Sequence, residues 1–133
     1  MTRAVSLWGP VVLYMAVIFY SSAQPDPGLP PGLTDKPTHS IAYAVLGGLV
    51  VRALAGGLPA RITLATAVAG VALTAAYGAT DEIHQMFVPG RYADANDLAA
   101  DAIGGAIGAF VCWLWGIISA SPGRSRGTSR HGL

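Results

Sequence analysis

Four long apolar runs without Lys, Arg, Asp or Glu divide this chain: residues 4–25, 37–51, 62–80 and 102–123, of 22, 15, 19 and 22 residues. A helix needs roughly 20 mostly apolar residues to cross a hydrocarbon core of about 30 Å. The first, third and fourth runs meet that length. The second is short, but it spans if Arg52 extends its guanidinium to the interface while its stem stays apolar, or if its polar start near Lys36 sits at headgroup level. The pattern predicts an all-α, polytopic bundle of four transmembrane helices, near 5–22, 38–56, 62–80 and 98–119. These form one domain over residues 1–120. Residues 121–133, rich in Ser, Gly and Arg, read as a disordered basic cytoplasmic tail.

Composition supports the same reading. In a chain of 133 residues, 53% are hydrophobic and 11% are charged, a balance that argues against a soluble all-helical core. Orientation follows from the basic residues. Arg3, Arg52, Arg61, Arg124, Arg126 and Arg130 lie in the amino terminus, the second connection and the tail, against Lys36 and Arg91 elsewhere. Basic residues concentrate on the cytoplasmic side, which places both termini and the 52–61 connection in the cytoplasm of a multi-pass cell-membrane protein. The first run exceeds the usual apolar stretch of about 7 to 15 residues in a secretory signal, so a retained helix is expected despite Ser21 and Ala23. Cys112 has no partner for a disulfide and reads as a small packing residue.

All seven acidic residues (Asp26, Asp35, Asp81, Glu82, Asp94, Asp97 and Asp101) fall in or beside the first and third connections. If the runs span a membrane, every carboxylate lies toward the outer face, and any chemistry belongs there. Three clusters have helical spacing: Asp35, His39 and Tyr43; Asp81, His84 and Gln85, with Tyr77 a turn below; and Asp94, Asp97 and Asp101. Asp101 lies about a turn inside an apolar run, where a carboxylate is costly and faces the bundle interior. Its possible partners are Lys36, Arg91, His39 and His84, and a plain structural salt bridge with Arg91 competes with any chemical role.

The connections and small residues complete the picture. The proline-glycine stretch 24–32 cannot continue a helix and is expected to cover the outer mouth. Pro89-Gly90-Arg91 should stop the third helix, reverse the chain at Gly90 and throw Arg91 back over the acids. Small residues four apart, Ala44 and Gly48, Thr66 to Gly78, and Gly104 and Gly108, permit close packing within the chain or a homodimer face at Gly104 and Gly108. Trp113 and Trp115 fit an interfacial belt.

Taken together, Asp35-Lys36-Pro-Thr-His39, the element running from Thr80 through Asp81, Glu82, His84, Gln85, Phe87, Pro89 and Gly90 to Arg91, then Asp94 and Asp97, and the Ser21-Ser22-Ala-Gln24-Pro25 exit resemble the VanZ-like membrane proteins over roughly residues 10–111. The resemblance implies a small integral membrane protein of a family named for an association with glycopeptide resistance, without implying a settled activity or a resistance phenotype here. Where the family has Asn one turn after the aspartate of the fourth helix, this chain has Asp101, so a donor role for an amide does not carry over.

Three chemistries remain open. In the first, Asp35, His39, Asp81, Glu82, Gln85, Asp97 and Asp101 supply acid–base or nucleophilic groups, while Lys36, Arg91, Ser22, Tyr43 and His84 bind an envelope lipid headgroup or lipid-linked cell-wall precursor. In the second, the same groups bind such a ligand without turnover, or only hold the helices together. In the third, His39, Asp81, Glu82, His84, Asp97 and Asp101 offer ligands for a divalent cation and a cation-dependent hydrolysis, although their spacing specifies no metal. The expected partners are membrane lipids. Nucleic acid is not expected, since the basic residues are few and split between the two faces. The sequence names no cofactor.

Overall fold

The structure, a computed structural model, describes residues 2–25 and 36–120, with the side chain of Lys36 excepted. Asp35, most of the proline-glycine stretch and the 121–133 tail lie outside the described residues, so the expectations for them have no structural counterpart. Four helices make up the described fold: α1 (Arg3–Ser22), α2 (Lys36–Leu54), α3 (Leu64–Gln85) and α4 (Ala95–Ser119), with no strand among the described residues. The helix ends differ from expectation most around the third connection. Using charge to bound a helix ends α3 at residue 80 and starts α4 at 98. Asp81, Glu82 and Gln85 instead continue α3 on its buried face, and Asp94 starts α4 early.

Local signals account for these limits. Thr63 caps α3 by accepting the Thr66 N–H, and Asp94 caps α4 with Oδ1 against the Asn96 N–H at 2.8 Å. Asp94 is therefore a cap rather than the first member of an inward acidic stripe. Between the two helices, the Val88 carbonyl accepts the Arg91 N–H at 3.1 Å. Pro89 and Gly90 occupy the centre of this turn, with Gly90 at φ +78°, which is the type II turn their order favours. Replacing Asp94 by Ala should destabilise the bundle by about 1 kcal/mol, the usual worth of a side-chain N-cap. Unfolding in detergent would show it, and Asp94→Ser should recover most of the loss.

The helices alternate in direction. Arg3 Nη2 bonds the Gly56 carbonyl and Arg52 Nη1 the Ser6 carbonyl, joining the start of α1 to the end of α2. At the opposite end Ser22 reaches Asp81, and His39 reaches Asp101. The basic residues Arg3 and Arg52 thus share one end of the bundle, and Asp81 and Asp101 share the other. α2 touches all three other helices, and its broadest contact is with α4, which runs parallel to it. Glycines make that contact close. A Cβ on Gly104 or Gly108 would overlap the Ser40 or Ala44 carbonyl oxygen, and one on Gly47 would come within 2.7 Å of the Gly105 carbonyl. The face considered for a homodimer at Gly104 and Gly108 is therefore occupied by α2 of the same chain.

Apolar side chains fill the interior around Val11, Leu46, Val50 and Val51, but the exterior differs from that of a water-soluble bundle. Large apolar side chains are exposed on every helix, among them Leu13 and Tyr20 on α1, Ile41 on α2, Leu64 and Val68 on α3 and Ile107, Phe110 and Ile118 on α4. Ser22, Thr74, Asp81, Glu82, Gln85, Asp97 and Asp101 are buried. In water such an arrangement leaves an unusually large apolar surface and desolvates ionisable groups. α1 and α4 are each long and apolar enough to cross a membrane, the latter at 25 residues and about 37 Å. α2 and α3 do not meet the same measure, so the expectation of four spans is matched by two helices. Cys112 is buried, with its thiol 3.5 Å from the Gly48 carbonyl, as a packing residue would be.

Candidate functional site

One inner stripe runs along α3 from Gly70 to its end. Gly70, Thr74 and Gly78 are small where α2 and α4 press closest, and the stripe continues at the same spacing as Asp81, Glu82 and Gln85. The facing stripe of α4 begins with Asp97 and Asp101 and continues as Gly104, Gly105 and Gly108. Each helix is thus small at mid-bundle and acidic at the same end, where the α1 exit and the α2 start also meet it.

Asp81 is the hub on the α1 side. Its Oδ1 accepts the Ser22 hydroxyl at 2.5 Å, and its Oδ2 is approached at 3.4 Å by both the Tyr43 hydroxyl and the Gln85 amide. Tyr43 is buried, and its ring lies 6.3 Å from that of Tyr77, whose hydroxyl donates to the Met15 carbonyl. Three helices therefore converge on one carboxylate.

Asp101 and Glu82 form the second half. Asp101 is fully buried, with Oδ1 3.1 Å from His39 Nδ1. It packs over Gly78, where a Cβ would come within 2.9 Å of Oδ2, so the glycine is what admits the carboxylate. Glu82 Oε2 accepts the Asp94 N–H at 2.9 Å, tying the end of α3 to the cap of α4. Glu82 Oε1 and Asp101 Oδ2 are buried and accept no hydrogen bond among the described residues. His39, Glu82 and Asp101 each present a ligand atom within 4.8 Å of the others, from three different helices. Asp97, in the first turn of α4, is buried beside them.

Of the residues expected at the site, the structure brings together Ser22, His39, Tyr43, Asp81, Glu82, Gln85, Asp97 and Asp101. Two others lie differently. The His84 ring stacks on Phe19 at 4.0 Å, between α3 and α1, and so departs from the stripe that its spacing from Asp81 suggested. Arg91 donates from Nε to the Gln24 carbonyl at 3.1 Å, at the same end of the bundle, and His39 rather than Arg91 is the partner of Asp101. The reason is the parallel alignment of α2 with α4, which sets the first turn of α2 directly beside Asp101. Asp35 and the Lys36 side chain are outside the described residues. Ser40 was missed by sequence reasoning. Its hydroxyl donates to the Ala100 carbonyl, and it extends the four-residue spacing of Ala44 and Gly48 by one turn, which is where its signal lay.

The family model described as VanZ/LLP1 matches residues 7–116. An uncharacterized protein of Mycobacterium bovis and another of Mycobacterium tuberculosis are each 37% identical to this chain over 93 residues, covering 66% of it. The aligned part is 14% of each of those proteins, so this chain spans a small fraction of the relatives it matches. No solved structure matches.

Proposed function

We propose, for a chain that belongs to the VanZ/LLP1 family, the role of a small multi-pass membrane protein that recognises the anionic headgroup of an envelope lipid or lipid-linked wall precursor at its acidic end. The observation that carries the reading is the distribution of polarity: ionisable side chains are collected inside one end of a bundle that exposes large apolar side chains on every helix. In a bilayer that exterior faces lipid, and the buried acids lie at the end of the bundle next to a headgroup layer instead of at the centre of the hydrocarbon core. All four helices cross the membrane in this reading. Arg3 and Arg52 at the opposite end, with Arg61 and the arginines of the tail, put that end and both termini in the cytoplasm.

Exposed Phe87 and Tyr92 at the acidic end and half-exposed Trp113 and Trp115 toward the other supply aromatic side chains at both interfaces. Arg91, held at the acidic end by Gln24, would pair with a phosphate there. His39 and the adjacent carboxylates are equipped to move a proton on a bound headgroup, which is the step from recognition to modification.

Native mass spectrometry of the detergent-purified protein with its co-isolated envelope lipids tests the reading in wild type, Arg91→Ala and Asp97→Asn. A phosphorylated or wall-precursor lipid retained by wild type and lost from both variants is the expected result. Retention of the same lipids by all three proteins would leave the polar cluster as a device that holds the helices together.

A further inference from the structure

We infer that His39, Glu82 and Asp101 bind a first-row divalent cation of the zinc or manganese class between α2, α3 and α4. Their ligand atoms lie within 4.8 Å of one another. Bonds of about 2.0 to 2.2 Å at tetrahedral angles separate ligand atoms by ~3.3 to 3.6 Å, so side-chain shifts of about an ångström close the set. The His39 Nδ1 to Asp101 Oδ1 distance, 3.1 Å, is already that of two neighbouring ligands.

Proximity of acids alone does not indicate a cation. The second observation is the state of the two carboxylates. Glu82 is 6% exposed and Asp101 0%, and each has one oxygen, Oε1 and Oδ2, buried with no hydrogen-bond partner among the described residues. A buried carboxylate oxygen that has lost water and gained no donor is expensive, and a metal ion is one of the few partners able to offset it. Glu82 also stands in the last turn of α3, where the carbonyl ends add partial negative charge instead of relieving it. Asp94, by donating its N–H to Oε2, fixes the Glu82 carboxylate from behind, as an outer-shell hydrogen bond does for a ligand.

The donor set selects the class of ion. One imidazole and two carboxylates suit zinc or manganese better than calcium, which takes six to eight oxygens, or magnesium, which prefers oxygens throughout. Three protein ligands leave coordination positions for water or for an oxyanion. An ion here also joins three helices at the end where the glycine contacts give way to acids.

The inference does not depend on headgroup recognition, and its test uses metal alone. Full-length protein in detergent, stripped with chelator, is titrated with Zn2+ and, separately, Co2+ as a spectroscopic probe. Elemental analysis after desalting should find about one Zn2+ per chain, and Co2+ should give a visible d–d band that Zn2+ displaces. Glu82→Gln and Asp101→Asn should weaken binding by about tenfold or more and remove the band. Arg91→Ala, expected to lose lipid, should keep both metal signals, as should His84→Gln, whose ring lies against Phe19. Absence of a stoichiometric ion and of a d–d band in wild type overturns the proposal whatever the variants do. Unchanged binding in folded Glu82→Gln overturns it as well.

Discussion

Gly108→Ala is expected to destabilise the bundle by about 3 kcal/mol, although it adds only a methyl group. The new Cβ would overlap the Ala44 carbonyl oxygen and come within 2.6 Å of the Gly48 amide nitrogen, both backbone atoms that cannot rotate aside. The helices would have to separate along their broadest contact, and His39 would move away from Asp101 a few turns along it. The same change at Gly9 meets nothing closer than Val5 Cγ1 at 3.9 Å, so Gly9→Ala should be neutral or add about 0.5 to 1 kcal/mol through helix propensity. Unfolding of the two variants in mixed micelles measures the contrast. Equal effects from the two substitutions would mean that α2 and α4 do not meet as described.

Asp81→Ala is the second large effect. It removes the acceptor shared by Ser22, Tyr43 and Gln85; Ser22 can turn its hydroxyl to the Phe19 carbonyl at 3.0 Å, but the buried donors of Tyr43 and Gln85 are left unsatisfied. Each such group costs about 1 to 3 kcal/mol, and both contacts are long at 3.4 Å, so a loss of about 2 kcal/mol is expected. Asp81→Asn keeps the size and one acceptor oxygen for Ser22, and should cost about 1 kcal/mol. That milder variant serves the functional question. If the site turns over a lipid, Asp81→Asn should abolish conversion while the lipid still co-purifies. If Asp81 only organises the helices, lipid retention should follow stability across the two variants, with no separate loss of conversion.

Side-chain period made the buried faces of the site legible in the sequence, but not their neighbours. Spacings of three and four placed Asp81 and Gln85 on one face of α3 and Asp97 and Asp101 on one face of α4, and both faces are buried. Period alone identifies a face but not its neighbour. For that reason His84, one residue from Gln85 and nominally in the same cluster, could turn to Phe19, and Asp101 could be assigned to Arg91 when the partner is His39. Charge used as a helix boundary failed at residues 81–85 and 95–97 for a related reason. It assumes that an acid marks the end of burial, and here the acids are the buried face.

The amino-acid sequence by itself determined the four helices, the end of the chain's fold at which the acids collect, the glycine spacings that allow close packing and the turn at Pro89 and Gly90. These follow from local properties: charge-free length, side-chain period, and the backbone freedom of particular residues. Only the tertiary structure decided that α2 and α4 lie parallel and in closest contact, that Gly104 and Gly108 serve this contact, and that His39, Glu82 and Asp101 converge while His84 and Arg91 turn elsewhere. Those outcomes depend on which helix faces fit together and at what register. Shape complementarity across the whole bundle sets both, and no single segment encodes it.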